Sequence, residues 1–241
     1  MTQKLAVVSG GGTGIGAAIT RTLTEDGHEV IVVGRRPEPL AKVAAQLPGV
    51  TAVTADLADP AQVGAVVDAV AGRPVDVLVN NAGGFVAAEG DGLAGVAAHW
   101  RTMLDINVMT AVLLTEALTP ALRRPGGRVI LLSSIAAQRG GGGPYSAAKA
   151  ALHGWVYVLA AQLGPDGITA NVVSPGYVAE TEFFGDRMTP EGHATRVGQT
   201  LVGRAGTPDD IAEAVRWLAG ESGGYVTGQI IGVNGGSVLG R

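Results

Sequence analysis

Tyr145 and Lys149 stand four residues apart in PYSAAKAAL, and Ser133 and Ser134 end the apolar run RVILLS just upstream. At positions i and i+4 of a helix, a phenol and an amine share one face. A free tyrosine, with a pKa of about 10, transfers protons poorly near neutrality. A fixed ammonium beside it stabilises the phenolate and lowers that pKa. A serine hydroxyl at the carboxyl end of a strand can donate to a carbonyl oxygen as negative charge grows there. Such a set can pass a proton to or from the oxygen of a ketone or a secondary alcohol. Each part also has a plainer reading: a snorkelling helix pair for Tyr145 and Lys149, and turn caps for the serines.

A second cluster sits near the N-terminus, where LAVVS runs into SGGGTGIG and then into a helical pattern. Gly10, Gly14 and Gly16 permit a tight turn and close backbone approach to a pyrophosphate, and the helix behind them favours anionic groups. The spacing, Gly-x-x-x-Gly-x-Gly, departs slightly from the common Gly-x-Gly-x-x-Gly dinucleotide fingerprint. Gly10, Gly12, Thr13, Gly14, Ile15 and Gly16 are therefore candidate cofactor-binding residues. The second strand ends Gly34-Arg35-Arg36, with no acid to receive ribose hydroxyls. Guanidinium groups suit a 2′-phosphate, so Arg35 and Arg36 favour NADP(H) over NAD(H). Asp56 and Leu57 follow the third strand, where Asp56 either meets the adenine edge or caps the next helix near Ala58.

The elements that must position these groups are legible as an alternation. Strands are expected at Leu5–Ser9, Glu29–Val33, Val50–Ala55, Asp76–Asn80, Arg128–Ser133, Ile168–Ser174 and Gln229–Val233. Several are nearly continuous apolar runs, as in strands covered on both faces. Helices are expected at Ile15–Glu25, Glu38–Gln46, Ala61–Val70, His99–Leu122, Tyr145–Leu163 and Pro208–Ala219. This order predicts an α/β fold: one Rossmann domain over residues 1–241, with a doubly wound, seven-stranded parallel sheet and helices on both faces. Only Tyr177–Leu201 breaks the alternation. It holds Phe183, Phe184, Met188, Pro190 and His193 and reads as a mobile substrate loop, with ordinary surface packing as the plainer account.

Composition excludes several classes. Hydrophobic residues make up 46% of the 241 and charged residues 16%, too apolar for a disordered chain. The formal net charge is −4 and no basic run exists, which argues against nucleic acid. There are no cysteines, so no disulfide framework or thiolate metal site is expected, and no metal is assigned. The N-terminus lacks a signal-peptide pattern, and no apolar run is read as a membrane span. A cytoplasmic protein without membrane partners is the expectation.

Taken in order, SGGGTGIG, DLAD, NNAG (Asn80–Gly83), DIN (Asp105–Asn107), SS (Ser133–Ser134), YSAAK, SPG (Ser174–Gly176) and TGQIIGVNGG (Thr227–Gly236) span nearly the whole chain. In that order and spacing they resemble the short-chain dehydrogenase/reductase family. The resemblance implies an NADP(H)-dependent enzyme that interconverts a ketone and a secondary alcohol. It implies Tyr145 as acid/base, Ser134 as the donor that polarises the carbonyl, Lys149 as the ribose-binding lysine and Asn107 as the holder of a proton-relay water. It implies cofactor contacts from Asn81, Ala82, Gly83, Pro175, Gly176, Val178 and Thr181, together with Arg35.

Three departures from the family pattern stand out. Ser134 precedes Tyr145 by 11 positions where many relatives have about two more, so Ser133 or Ser134 can be the donor, with Ser134 the better match. Thr13 stands where NADP-using relatives often carry arginine. Glu180 occupies the place of a usual threonine, with Thr181 next to it. The substrate is expected to be a small carbonyl or alcohol compound, or an acyl chain carried by acyl-carrier protein. Arg123, Arg124, Arg128 and Arg139 could dock that carrier, although Asp166 stands where carrier-using relatives often have a basic residue. The apolar C-terminal segment, by analogy with relatives, implies a homotetramer. The competing reading is a catalytically silent dinucleotide sensor or scaffold, which should have lost part of Asn107, Ser134, Tyr145 and Lys149; all four are present.

Overall fold

The computed structural model describes residues 3–183, 185 and 188–240. Seven parallel strands form one sheet in the order β3-β2-β1-β4-β5-β6-β7. They are β1 (Leu5–Ser9), β2 (Glu29–Gly34), β3 (Val50–Thr54), β4 (Val77–Asn80), β5 (Arg128–Leu132), β6 (Thr169–Pro175) and β7 (Ile230–Val233). The chain runs outward from β1 to β3, then returns to place β4 on the other side of β1. The order reverses between β1 and β4, and ligands of such sheets bind beyond the carboxyl ends of the strands at that crevice. This is the doubly wound Rossmann arrangement the alternation predicts. Every residue of β1, β4 and β6 is buried, as continuous apolar runs require when helices cover both faces.

The nine described α-helices are α1 (Gly14–Glu25), α2 (Pro37–Gln46), α3 (Pro60–Val70), α4 (Gly92–Leu104), α5 (Thr110–Leu118), α6 (Ala136–Arg139), α7 (Pro144–Leu163), α8 (Pro190–Gly198) and α9 (Pro208–Ala219). Two apolar cores result. One joins β-strand side chains such as Val7 and Leu131 to Val66 of α3, Leu114 of α5 and Leu152 of α7. The other joins Val8 and Ile130 to Ile19 and Leu23 of α1 and to Ile211 and Val215 of α9. Local signals set the helix starts. Proline occupies the first turn of α2, α3, α7, α8 and α9, where its missing N–H costs nothing. Thr207 and Asp210 form a reciprocal capping box on α9.

The expected helix His99–Leu122 is replaced by a longer, interrupted run. It begins at Gly92, loosens into a π-turn at Asp105–Met109 and ends at Leu118, followed by a 3₁₀ turn at Thr119–Ala121. As a whole, Gly92–Ala121 spans 30 residues with mean hydropathy 1.2, long and apolar enough by those measures alone to cross a membrane. That corrects the expectation of no such run; Met103, Asn107, Ala111, Leu114 and Leu118 bury one side of it inside the protein. The segment Tyr177–Leu201 carries α8, capped by the Thr189 hydroxyl accepting from Gly192 N. Phe184 lies outside the described residues.

Candidate active site

The glycine turn follows β1 directly. Gly10 has φ +65°, and a Cβ at Gly16 would lie 2.0 Å from the Gly10 carbonyl oxygen, so neither position admits a side chain. Asn81 locks the turn to the end of β4: its Nδ2 donates to Ser9 O at 3.0 Å and to Gly10 O at 3.1 Å. Ser9 Oγ in turn accepts from the backbone N–H groups of Asn81 and Ala82. The Asn81 amide is thus spent on architecture. Behind the turn, α1 begins without a side-chain cap and without an acid in its first turn. Its leading N–H groups are therefore available to a phosphate.

A cleft of about 980 Å³ runs across the carboxyl ends of the strands and joins a smaller cavity of about 280 Å³, the two sharing Gly10, Thr13, Arg35, Arg36, Ala82 and Gly83. Gly12, Asp56 and Leu57 line the smaller cavity. Gly14, Ile15, Gly16, Asn81, Ser134, Tyr145, Lys149, Pro175, Gly176, Val178 and Thr181 line the larger one. All the cofactor candidates therefore gather around one continuous space. Thr181 lies against the glycine turn, its Cγ2 3.4 Å from where a Gly14 Cβ would stand. Glu180, just before it, adopts a left-handed backbone with φ +59°, uncommon for a residue with a side chain. Asp56 Oδ1 accepts from Ala58 N at 3.0 Å in a turn ahead of α3, whose cap is instead Asp59, so the expected capping role does not fall to Asp56.

The residues present suit a phosphorylated dinucleotide: uncapped helix N–H groups at a turn that excludes side chains, with two arginines at the end of the next strand. Arg36 is paired with Glu182 at 2.6 Å, across the mouth of the cleft. Arg35 makes no ion pair among the described residues.

At the other end of the cleft, α7 presents Tyr145 and Lys149 on one face. The Ser134 hydroxyl lies near that of Tyr145 and favours its ionised form. Ser134 Oγ also accepts from Ala136 N at 3.1 Å, which fixes its rotamer. Ser133 is otherwise committed: it donates to Lys149 O at 2.9 Å, and His153 Nε2 lies 2.9 Å from the same hydroxyl. Since that proton goes to Lys149 O, His153 is the donor to Ser133. The two serines thus differ in their partners: Ser134 lies beside the phenol, and Ser133 ties β5 to α7.

Tyr145 is only 8% exposed, with the rings of Phe183 at 5.6 Å and Phe85 at 6.3 Å. Burial pushes its pKa up to about 12, and the nearby Ser134 hydroxyl offsets only part of that. This is opposite in direction to the effect expected from Lys149 alone. Lys149 Nζ sits 6.0 Å from the phenol ring centre and donates to Leu132 O at 2.9 Å. Burial pulls its own pKa down to about 8. Desolvation therefore outweighs the ammonium's pull on the phenol.

Asn107, 1% exposed, sits in the π-turn. Its Nδ2 donates to Gly84 O at 2.9 Å and Met103 O at 3.1 Å, and its Oδ1 accepts from Gly84 N at 3.0 Å. Both amide protons are used, so its side chain fastens the Gly83-Gly84 strip beside Lys149. Sequence reasoning passed over Phe85, Glu182, His153 and Gln199; nothing in their spacing marks them, because each reaches the site through the fold.

The basic cluster expected near the site divides. Arg123 pairs with Asp76, and Arg124 with Asp166 at 2.9 Å. Arg128 begins β5, roughly 17 Å from the serines at its far end, at about 3.3 Å per residue. Only Arg139 lines the cleft.

A seven-stranded parallel sheet with an anion-binding turn at its switch point and a Ser-Tyr-Lys set at its carboxyl edge defines an α/β dinucleotide-binding oxidoreductase class. A family model described as enoyl-(acyl carrier protein) reductase matches residues 10–237. The chain is 38% identical over 255 residues to the short-chain reductase protein NovJ of Streptomyces niveus, covering 97% of this chain and 94% of that one. It is 32% identical to the 3-oxoacyl-[acyl-carrier-protein] reductase FabG of Escherichia coli (strain K12), covering 98% of each. A blue fluorescent protein from a metagenomic library, solved in complex with NADPH, superposes with a TM-score of 0.86 at 36% identity, covering 98% of each chain. The chain belongs to the short-chain dehydrogenase/reductase family of oxidoreductases.

Proposed function

We propose that this protein is an NADP(H)-dependent oxidoreductase that interconverts a ketone and a secondary alcohol, with Tyr145 as the acid/base. The observation that carries this is the gathering of Ser134, Tyr145 and Lys149, the last one turn along the same helix as the phenol, in the cleft that also holds the glycine turn. NADP(H), when bound, supplies two-electron chemistry at its nicotinamide. Gly10 to Gly16 and the start of α1 hold the pyrophosphate, and Arg35 and Arg36 read the adenosine phosphate. Pro175, Gly176, Val178 and Thr181 border the nicotinamide end. The NADPH carried by the superposed blue fluorescent protein supports the same choice of cofactor.

In the reductive direction the Ser134 hydroxyl donates to the substrate oxygen as it gains charge. Tyr145 gives its proton to that oxygen, which becomes the alcohol hydroxyl. The phenolate left behind is stabilised by the Lys149 ammonium; in oxidation the same phenolate takes the proton back. Asn107 keeps the Gly83-Gly84 strip in place beside Lys149. Both Nδ2 protons of Asn107 are used, so a relay water there would donate to the second lone pair of its Oδ1 or to a backbone carbonyl. Absorbance loss of NADPH across a panel of ketones tests the reading. Binding of NADPH without turnover of any ketone, aldehyde or 3-oxoacyl thioester would favour a sensor or scaffold instead.

Assembly as a homotetramer is part of the proposal. β7 is an edge strand, Leu239 beyond it is 74% exposed, and Tyr225 before it is fully exposed. An open edge with apolar side chains needs covering, and closed symmetric oligomers are the common solution. Light scattering at micromolar concentration decides this; a monomer refutes it.

A further inference from the structure

Resting on that reaction class, we propose that the protein selects ketones that carry a carboxylate, and that Arg139 reads the charge. The chain has a net charge of −4, yet the larger cleft is lined by Arg35, Arg36, Lys149, Arg139 and Arg196 and, among the described residues, by the single acid Glu182. Glu182 is paired with Arg36. Arg35 and Arg36 also line the smaller cavity, which Arg139 and Arg196 do not reach. Lys149 lies beneath the phenol, bonded to Leu132 O. Positive charge is thus left at the end of the cleft away from the arginines of β2, where no described acid faces it.

Arg139 is the cation at that end of the cleft that has no carboxylate partner among the described residues. It ends α6 and is followed by Gly140–Gly143, so nothing but backbone separates it from the start of α7 and Tyr145. Its Nη1 donates to Gln199 Oε1 at 3.0 Å, a neutral partner, and no carboxylate pairs with it among the described residues. A guanidinium has five N–H donors in a planar fork, so most of its capacity is uncommitted. With the Gln199 amide beside it, it offers one charge and a flat set of donors. That matches the single charge and two oxygens of a carboxylate. The Phe85 and Phe183 rings flank Tyr145, so the part of the substrate next to the carbonyl meets aromatic surface. The substrate these features fit has an apolar or planar body around the ketone and a carboxylate toward Arg139.

The test uses a matched pair of aryl ketones, 4-acetylbenzoate and the neutral 4-acetylbenzamide. Binding of each to the full-length protein saturated with NADP⁺ is measured by calorimetry, and NADPH-dependent reduction of each is followed in parallel. The carboxylate is expected to bind at least about tenfold tighter, a preference that weakens with added salt. In Arg139→Gln the ratio should fall to within about twofold of one, and Arg139→Lys should keep part of it. Equal binding of the two ketones by the unmodified protein overturns the inference, as does a preference that survives in Arg139→Gln or no binding of the carboxylate at millimolar concentration. The two readings fail separately. Reduction of both ketones without charge preference leaves the reaction class standing and removes the anion site. Preferential binding of the carboxylate without reduction of either ketone keeps the anion site and counts against the reaction class.

Discussion

Lys149→Met separates the cost of the site from its use. In the folded protein Lys149 is buried and its pKa is held at about 8 against an ordinary 10.5. Each unit of pKa is worth about 1.4 kcal/mol, so keeping the group charged at pH 7 costs the fold about 3 kcal/mol. Methionine fills nearly the same volume without the charge. It forfeits the hydrogen bond to Leu132 O, worth about 1 kcal/mol. The variant should therefore be more stable than the unmodified, cofactor-free protein by about 2 kcal/mol at pH 7, roughly 4–8 °C in melting temperature for a chain of this size. The unfolded chain holds its proton up to about pH 10.5 while the folded chain releases it near 8. The stability of the unmodified protein accordingly rises with pH across that window, and the advantage of the variant should vanish at about pH 9–10. Denaturant unfolding of both proteins between pH 6 and 10 measures this, alongside ketone reduction, which the variant should lose. If Lys149→Met is destabilised at pH 7, or if its effect is flat with pH, the buried-charge argument is wrong.

Three further outcomes are expected. Tyr145→Phe keeps the ring between Phe85 and Phe183, so melting temperature and NADPH affinity should hold while turnover falls by about 10²–10⁴-fold; reduction at the unmodified rate would move the chemistry elsewhere. Ser134→Ala should lower kcat by about 10²–10³-fold with little change in stability, whereas Ser133→Ala should cost about 1–3 kcal/mol in denaturant unfolding because it removes the bonds that tie Lys149 O and His153 to the end of β5; the reverse pattern would exchange their roles. Changing Arg35 and Arg36 together to Ala should erase a preference for NADPH over NADH of at least about tenfold, measured as Kd by fluorescence titration, and equal affinities in the unmodified protein would refute the assignment.

Most of the scaffold was legible because its signals are local. β1, β4 and β6 read as strands from largely apolar runs, and α7 from the apolar period carried by Leu152, Val156, Leu159 and Leu163. Tyr145, Lys149 and the glycine turn were legible because each depends on spacing within one element. The π-turn at Asp105–Met109 was not, since no residue there breaks the helical pattern; it accompanies the Asn107 bonds to Gly84, 23 positions away. The start of α4 was missed because Gly92 and Gly95 are weak helix formers, and α8 because two glycines and few apolar residues disguise it. The direction of the Tyr145 pKa was misjudged for a related reason. The ammonium can be read from an i, i+4 pair, but the burial that outweighs it comes from Phe85 and Phe183, far away in sequence. The displaced arginines teach the converse: Arg128 is only five positions from Ser133, yet a strand carries it to the opposite edge of the sheet.

The segment from Tyr177 to Leu201 has a consequence for how this enzyme can change. Its ends are tied down by backbone bonds of Tyr177 and Ala179 with Gly206 and of Leu201 with Gly235, while its middle meets the rest of the chain through side chains, among them Glu182 with Arg36, Gln199 with Arg139 and Phe183 against Tyr145. No residue of α8 is buried. Substitutions at such exposed positions typically shift stability by less than about 0.5 kcal/mol, whereas a change at Val172 or Leu131 would cut into the core. Residues that meet the substrate and residues that hold the fold are therefore largely different sets. New substrate preferences can accumulate in the first without eroding the thermodynamic margin supplied by the second. Ser134, Tyr145 and Lys149, anchored beside β5 and on α7, stay fixed throughout such drift, so the cleft's binding groups can change while this set is left untouched.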